Sequence, residues 1–123
     1  MTIISVVDNG VVNLSTAQTG IGDSTNVANR GTRPGRGGAV VVASTVGAAP
    51  TVTVNIQGSM DGTNYFNIPY ALVATPGTFV LTAITITTAV TTAYLLQPDQ
   101  VWRFLKLVYS ANTNVTLTAD AYL

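Results

Sequence analysis

Neither cysteine nor histidine occurs in the 123 residues, and glutamate is missing as well. Without thiolate or imidazole there is no soft metal site, no Cys–His pair and no Ser-His-Asp triad. Every carboxylate role falls to Asp8, Asp23, Asp61, Asp99 and Asp120, which are scattered singly along the chain. No enzyme, no metal and no cofactor is expected from such an inventory. Charge is scarce too: charged residues make up 8% of the chain, against about 25% in an average globular domain. Five Lys/Arg balance five Asp, so the formal net charge is zero. No stretch approaches the roughly 18 apolar residues of a membrane-spanning helix, so no membrane partner is expected. The start, Met1-Thr2-Ile3-Ile4, lacks the basic region of a signal peptide, and no export signal is expected.

What fills the space is β-branched. Twenty Thr and seventeen Val occur, and hydrophobic residues reach 47%. Both residue types are stiff at χ1 and pack well on pleated surfaces, while the good helix formers Glu and Lys are absent or nearly so. The composition predicts an all-β chain, and the length suits one domain that buries about two-thirds of its unfolded-chain surface.

Along the chain, Ile3–Val7 and Val11–Leu14 flank Asp8-Asn9-Gly10, which predicts a small N-terminal hairpin. Gly20–Gly38 is rich in Gly, Asn and Ser, carries Arg30, Arg33 and Arg36, and has few apolar residues. It reads as a long loop or an extended arm ordered by a neighbour. Ala39–Val46 is a continuous apolar run, consistent with a strand buried on both faces. Thr51–Gln57 alternates strictly, with Val52, Val54 and Ile56 on one face. Gly58–Asn64 is a turn punctuated by Asp61-Gly62, and Tyr65–Ile68 is the return strand. Thr78–Thr82 and Ile84–Val90 alternate Thr with apolar residues. Val101–Tyr109 sets Trp102, Phe104, Lys106 and Val108 on one face, the expected core face, and Arg103, Leu105, Leu107 and Tyr109 on the other. The last strand, Val115–Leu123, places Val115, Leu117, Ala119, Ala121 and Leu123 on one face. Turn signals at Ala48-Ala49-Pro50, Thr75-Pro76-Gly77, Gln97-Pro98-Asp99 and Ser110-Ala111-Asn112 separate these strands. About eight short strands with such turns predict an antiparallel β-sandwich or jelly roll, with an extended, loop-rich N-terminal segment. The expected division is a hairpin and Gly/Arg-rich arm over 1–38 and a sandwich domain over 39–123.

Few residues could carry chemistry. Arg30, Arg33 and Arg36 on a glycine-rich backbone could meet phosphates, but three charges without interleaved aromatics make a weak footprint for RNA. They read better as polar anchors of an arm docking on a protein partner, or as a solvated loop, and no nucleic-acid partner is expected. Asp61 with Asn64 offers one carboxylate where calcium wants six to eight oxygens, so an Asx turn is the better account. The aromatics read as core packing rather than as a sugar-stacking platform.

Between Arg36 and Asp99 the only charged residue is Asp61. Free β-proteins usually guard their edges with Lys and other charges, and here nothing repels another copy. A surface of this kind suits a subunit packed into a larger assembly. Val52-Thr-Val-Asn-Ile-Gln-Gly-Ser-Met-Asp-Gly-Thr-Asn-Tyr-Phe, then Val101-Trp-Arg-Phe-Leu-Lys-Leu-Val-Tyr and a Thr-rich last strand, resembles small β-sandwich virion proteins of tailed bacteriophages. The resemblance covers roughly residues 39–123 and is nearest to head decoration, or capsid cement, proteins. It implies a non-enzymatic, often trimeric homo-oligomer on the capsid exterior, assembled in the host cytoplasm, that clamps major capsid protein subunits. The strand–turn–strand unit also occurs in tail and fibre proteins, which leaves a receptor- or carbohydrate-binding module as the rival expectation.

Overall fold

The computed structural model describes residues 10–30, 37–98 and 102–123, together with the backbone course of Ile3–Val6. The described residues form ten strands and no helix: β1 (Ile3–Val6), β2 (Val11–Gln18), β3 (Gly22–Asp23), β4 (Asn26–Asn29), β5 (Gly38–Ser59), β6 (Phe66–Asn67), β7 (Tyr70–Leu72), β8 (Ile84–Ile86), β9 (Thr91–Leu96) and β10 (Phe104–Tyr122). The all-β, sandwich-like class expected from Thr and Val is the class observed.

Two strands organise everything else. β5 runs for 22 residues and β10 for 19, several times the usual five or six. They pair antiparallel from Phe104↔Ser59 to Tyr122↔Ala39. Both bend at the same level. Ala49 (φ 46°) bends β5, while Ala111 (φ 52°) and Asn114 (φ 53°) bend β10 where its register shifts between Ser110 and Val115. The Asn114 amide donates to the Ala48 carbonyl at 2.6 Å, tying one bend to the other. The Asn112 carboxamide accepts from the Val115 N–H at 3.1 Å and donates to its carbonyl at 2.9 Å, holding the bulge shut. The segments Ala48-Ala49-Pro50 and Ser110-Ala111-Asn112, expected to separate strands, therefore bend continuous ones. The same small and turn-prone residues serve a bulge as well as a loop.

The bends divide the sheet into two halves. In one, β2 flanks the end of β10 at 117–122, and the start of β5 at 38–43 continues into β9 and then β7. In the other, β3 and β4 flank the start of β10, and β5 beyond its bend carries β8 and β6. Val40, Val42, Tyr94, Leu117 and Ala121 of the first half share one buried cluster with Val54, Ile56, Leu105, Leu107 and Tyr109 of the second. Each fully buried Val or Leu contributes about 1.5–3 kcal/mol of burial, an upper range because the unfolded chain is itself partly compact.

Several local expectations are corrected. β1 does not form a hairpin with β2; it pairs in parallel with β4, and β2 pairs with β10. The alternation that buries Val12 and Leu14 fits the edge of β10, a larger reward than a local turn. Residues 11–30 are part of the sandwich and no separate arm: Leu14, Val27 and Ala28 are buried, and Ser24 closes on the Leu107 backbone. β5 before its bend is buried on one face only, through Val40, Val42 and Ser44. On β10 the core face is Leu105, Leu107 and Tyr109, with Phe104 also buried, while Lys106 and Val108 are half-buried on the other face. Placing Lys106 outward decides the orientation, because its ammonium pairs with Asp23 at 3.0 Å. The strand β9 was not foreseen; its signal is the Tyr94/Leu96 alternation behind two Thr.

Candidate docking surface

The residues expected to anchor a partner lie in different settings. Arg30 is 8% exposed, and its guanidinium donates to the Gly37 carbonyl within its own chain. It lines a cavity of about 10 Å³ with Leu96, Trp102, Leu105 and Leu123, room for one water at most. Its position is that of a strut beneath the surface. Arg33 and Arg36 lie outside the described residues.

The Asp61 loop is the Asx turn expected from its sequence. Asp61 Oδ1 accepts from the N–H groups of Thr63 and Asn64, both at 2.8 Å, and from Ser59 Oγ at 3.0 Å. Its Oδ2 accepts from the Asn64 amide at 2.7 Å. The backbone N–H of Asn64 and then that of Thr63 hold the carboxyl well below the usual carboxylate range. With its oxygens occupied by its own loop, the carboxylate builds a turn. Nearby, Lys106 Nζ lies 4.1 Å from the centre of the Tyr65 ring as well as on Asp23.

The aromatic side chains do not assemble a stacking platform among the described residues. Tyr70, Tyr94 and Tyr109 are buried, with Tyr70 and Tyr94 edge-to-face at 5.4 Å and 90°. Burial pushes all three phenols up. Trp102 packs against the core. Phe66 and Tyr122 are exposed, but they pair with Gly58 and Ala39 at opposite ends of β5.

A polar cleft lies at the two bends, lined by Thr19, Thr45, Gly47, Asn112, Asn114 and Thr116. Both asparagine amides there are committed to backbone groups that hold the bends. What the cleft turns outward is neutral, threonine hydroxyls beside the exposed Val46.

The feature that stands apart is apolar. From Gly62 to Pro98 no side chain carries a charge. Within that stretch Tyr70 and Val80 exchange two backbone hydrogen bonds, of 3.0 and 2.9 Å, closing the loop that follows β7. Its tip is a β-turn in which the Thr78 N–H reaches the Thr75 carbonyl at 3.0 Å across Pro76-Gly77. Along this loop and just past its close Leu72 is 44% exposed, Val73 60%, Val80 39% and Leu81 64%. β7 is the last strand in the order of its half-sheet. The sequence held a signal for this patch: Leu72-Val73 and Val80-Leu81 are adjacent apolar pairs, and a two-residue side-chain period cannot turn both members of a pair inward.

The molecule is thus an all-β sandwich-like protein whose described surface carries a neutral, partly apolar region and no constellation of acid–base groups. No family model and no curated protein matches the chain. Among solved structures it is similar to one titled "Crystal structure of PirA", with 13% identity over 92% of this chain and 82% of that chain, and a TM-score of 0.46.

Proposed function

We propose that this protein is a structural virion subunit, a capsid decoration or cement protein that binds the major capsid protein lattice and reinforces it from outside. The observation that carries the reading is the charge-free stretch from Gly62 to Pro98 with its exposed Leu72, Val73, Val80 and Leu81. A surface of that kind gains by being covered. The sandwich beneath it supports the same role, since two long bent strands paired on both sides of their bends give a common platform. Each copy need contribute only a few kcal/mol, because symmetry-related copies act together. The resemblance of residues 39–123 to phage head decoration proteins favours this assembly over others. The rival reading, a carbohydrate-binding module on a tail or fibre, requires exposed rings, and burial of Tyr70, Tyr94 and Tyr109 speaks against it.

The test is mechanical. Capsids prepared with and without the protein are heated and osmotically shocked, and their rupture is followed by release of contents. Greater resistance in the decorated particles is the expected result. Equal resistance would remove the cement role.

A further inference from the structure

We propose that the cleft between β7 and β8 binds a small neutral molecule, an apolar ring bearing one oxygen acceptor, and that the Tyr70 hydroxyl holds that oxygen. The cleft opens between β7, the last strand of one half of the sheet, and β8, which flanks β5 in the other half. Its volume is about 290 Å³, room for roughly ten water-sized groups and so for one ring with a substituent. Tyr70 and Tyr94, edge-to-face at 5.4 Å, line it together with Ile84, Thr85 and Thr78. Backbone bonds of Tyr70 with Val80 and of Thr78 with Thr75 hold the rim, so the cleft is formed before a ligand arrives.

The two phenols are not equivalent. The Tyr94 hydroxyl has a partner in Thr92 of its own strand. Tyr70 is only 9% exposed, yet its hydroxyl makes no hydrogen bond to a described residue. No side-chain oxygen that is sealed from solvent lacks a partner among the described residues, so the Tyr70 hydroxyl reaches open space, and that space is the cleft. A phenylalanine would pack in the same place without drying a hydroxyl. Burial raises the Tyr70 phenol above its usual range, which keeps its proton available as a donor through neutral pH. A ligand oxygen takes the place of water at that proton.

The lining then selects the ligand. None of its residues is charged, so a carboxylate or ammonium would give up its hydration and meet no counter-charge. The many hydroxyls of a sugar would each need a partner, and the lining offers no amide, carboxylate or guanidinium to meet them in pairs. An apolar ring instead covers the aromatic and aliphatic walls, while its single carbonyl or ether oxygen accepts from Tyr70. One fixed polar point in a mostly apolar pocket is the usual design of a small-molecule site. The inference does not rest on the capsid role.

Acetophenone is the probe, with benzoate, of the same size but charged, and glucose as contrasts. Each is titrated into the isotope-labelled full chain without capsids, and backbone amide shifts are followed by NMR. Acetophenone is expected to give saturable shifts at roughly millimolar concentration, confined to amides around Tyr70, Val80, Ile84 and Tyr94. Tyr70→Phe, which removes only the hydroxyl, is expected to weaken binding roughly threefold to tenfold. Ala83→Phe, at an exposed lining position, is expected to fill the cleft and abolish binding with the denaturation midpoint unchanged. Ile21→Asp, exposed and outside the lining, is expected to bind like the parent. Shifts that never saturate or fall elsewhere, parental affinity in Tyr70→Phe, or benzoate or glucose binding as tightly as acetophenone would each overturn the proposal. Any of these results would leave the capsid role standing, since no capsid enters the measurement.

Discussion

The Tyr109 hydroxyl donates a 2.9 Å hydrogen bond to Ser15 Oγ inside the sandwich. Tyr109 belongs to the half of β10 that pairs with β5 around Val54, whereas Ser15 belongs to β2 opposite Ala119, so the bond joins the two halves of the sheet. The Ser15 hydroxyl in turn donates to Gln18 Oε1 at 2.7 Å, and the Gln18 amide donates to the Asp23 carbonyl at 3.1 Å. A polar chain thus runs from the core to the surface with each hydrogen used once. Tyr109→Phe is expected to lower stability by about 1 kcal/mol, the net worth of one buried bond, with the fold retained. Chemical denaturation of the two proteins checks it.

The same phenol makes stability depend on alkaline pH. Burial pushes Tyr109 up to about 12, and the Ser15 bond offsets this only in part. A folded-state pKa above the unfolded value of about 10 means that the native phenol keeps its proton while the unfolded one loses it. The contribution is fully present below about pH 10 and is lost as pH rises towards 12, on the order of 2–3 kcal/mol in all. Tyr109→Phe should flatten the stability profile over that window, as followed by denaturant midpoints at successive pH values. An unchanged slope would show that the phenol is not shielded.

Much of this core was legible in the pattern of side chains. Strict alternation at 51–57 put Val52, Val54 and Ile56 inside, and the same rule worked for Val115, Leu117, Ala119 and Ala121. Asp61 announced its turn because its short carboxylate reaches the next N–H groups whatever lies elsewhere. What failed was every decision that depends on a distant partner. Asn9-Gly10 favours a hairpin locally, yet β2 found the edge of β10 more than a hundred residues away. Pro50 and Asn112 interrupt the pattern in the same way whether the chain reverses or merely bends, and only the pairing of β5 with β10 on both sides of the bends tells these apart. Arg30 read as a docking anchor or part of a solvated loop because the segment after it is glycine-rich; its burial comes from Leu105 and Trp102, far along the chain.

A second packing relationship is specific enough to engineer. The Trp102 indole lies flat on the Gly58 backbone, and a Cβ at Gly58 would fall 2.6 Å from Trp102 Cδ2. Gly58 is buried within β5, paired with Leu105 on one side and Phe66 on the other, so the backbone cannot retreat. Gly58→Ala should lower stability by about 1–3 kcal/mol through overpacking. In a Trp102→Leu background the same alanine should be much cheaper. The non-additivity of the double-mutant cycle is the measurement, and simple additivity would place the clash elsewhere.

Asp61 gives the opposite pH dependence. Its folded carboxyl is held below its ordinary value by the Asn64 and Thr63 N–H groups, so its contribution is present above the unfolded pKa and is lost as pH falls. Asp61→Ala should lower the thermal midpoint at neutral pH. The gap from the parent should narrow once pH drops below about 4, where the unfolded carboxyl takes up its proton. Asp61→Asn, which keeps one acceptor oxygen for the Thr63 and Asn64 N–H groups, should fall between the two.

The three arginines should separate fold from docking. Arg30 is buried and bonded to the Gly37 carbonyl, so Arg30→Met should cost about 1–3 kcal/mol of stability, the range for losing a charge-assisted bond to a buried acceptor. Lysine should restore little, because a point ammonium lacks the forked geometry of guanidinium. If Arg33 and Arg36 serve the proposed capsid contact, Arg33→Ser with Arg36→Ser should leave the denaturation midpoint in place and weaken binding to capsids. That loss should be largest at low ionic strength, where guanidinium–carboxylate attraction is least screened. Co-sedimentation with capsids at several salt concentrations, beside denaturation of the free protein, separates the two effects. Equal capsid binding by the double variant and the parent would remove these two arginines from the contact.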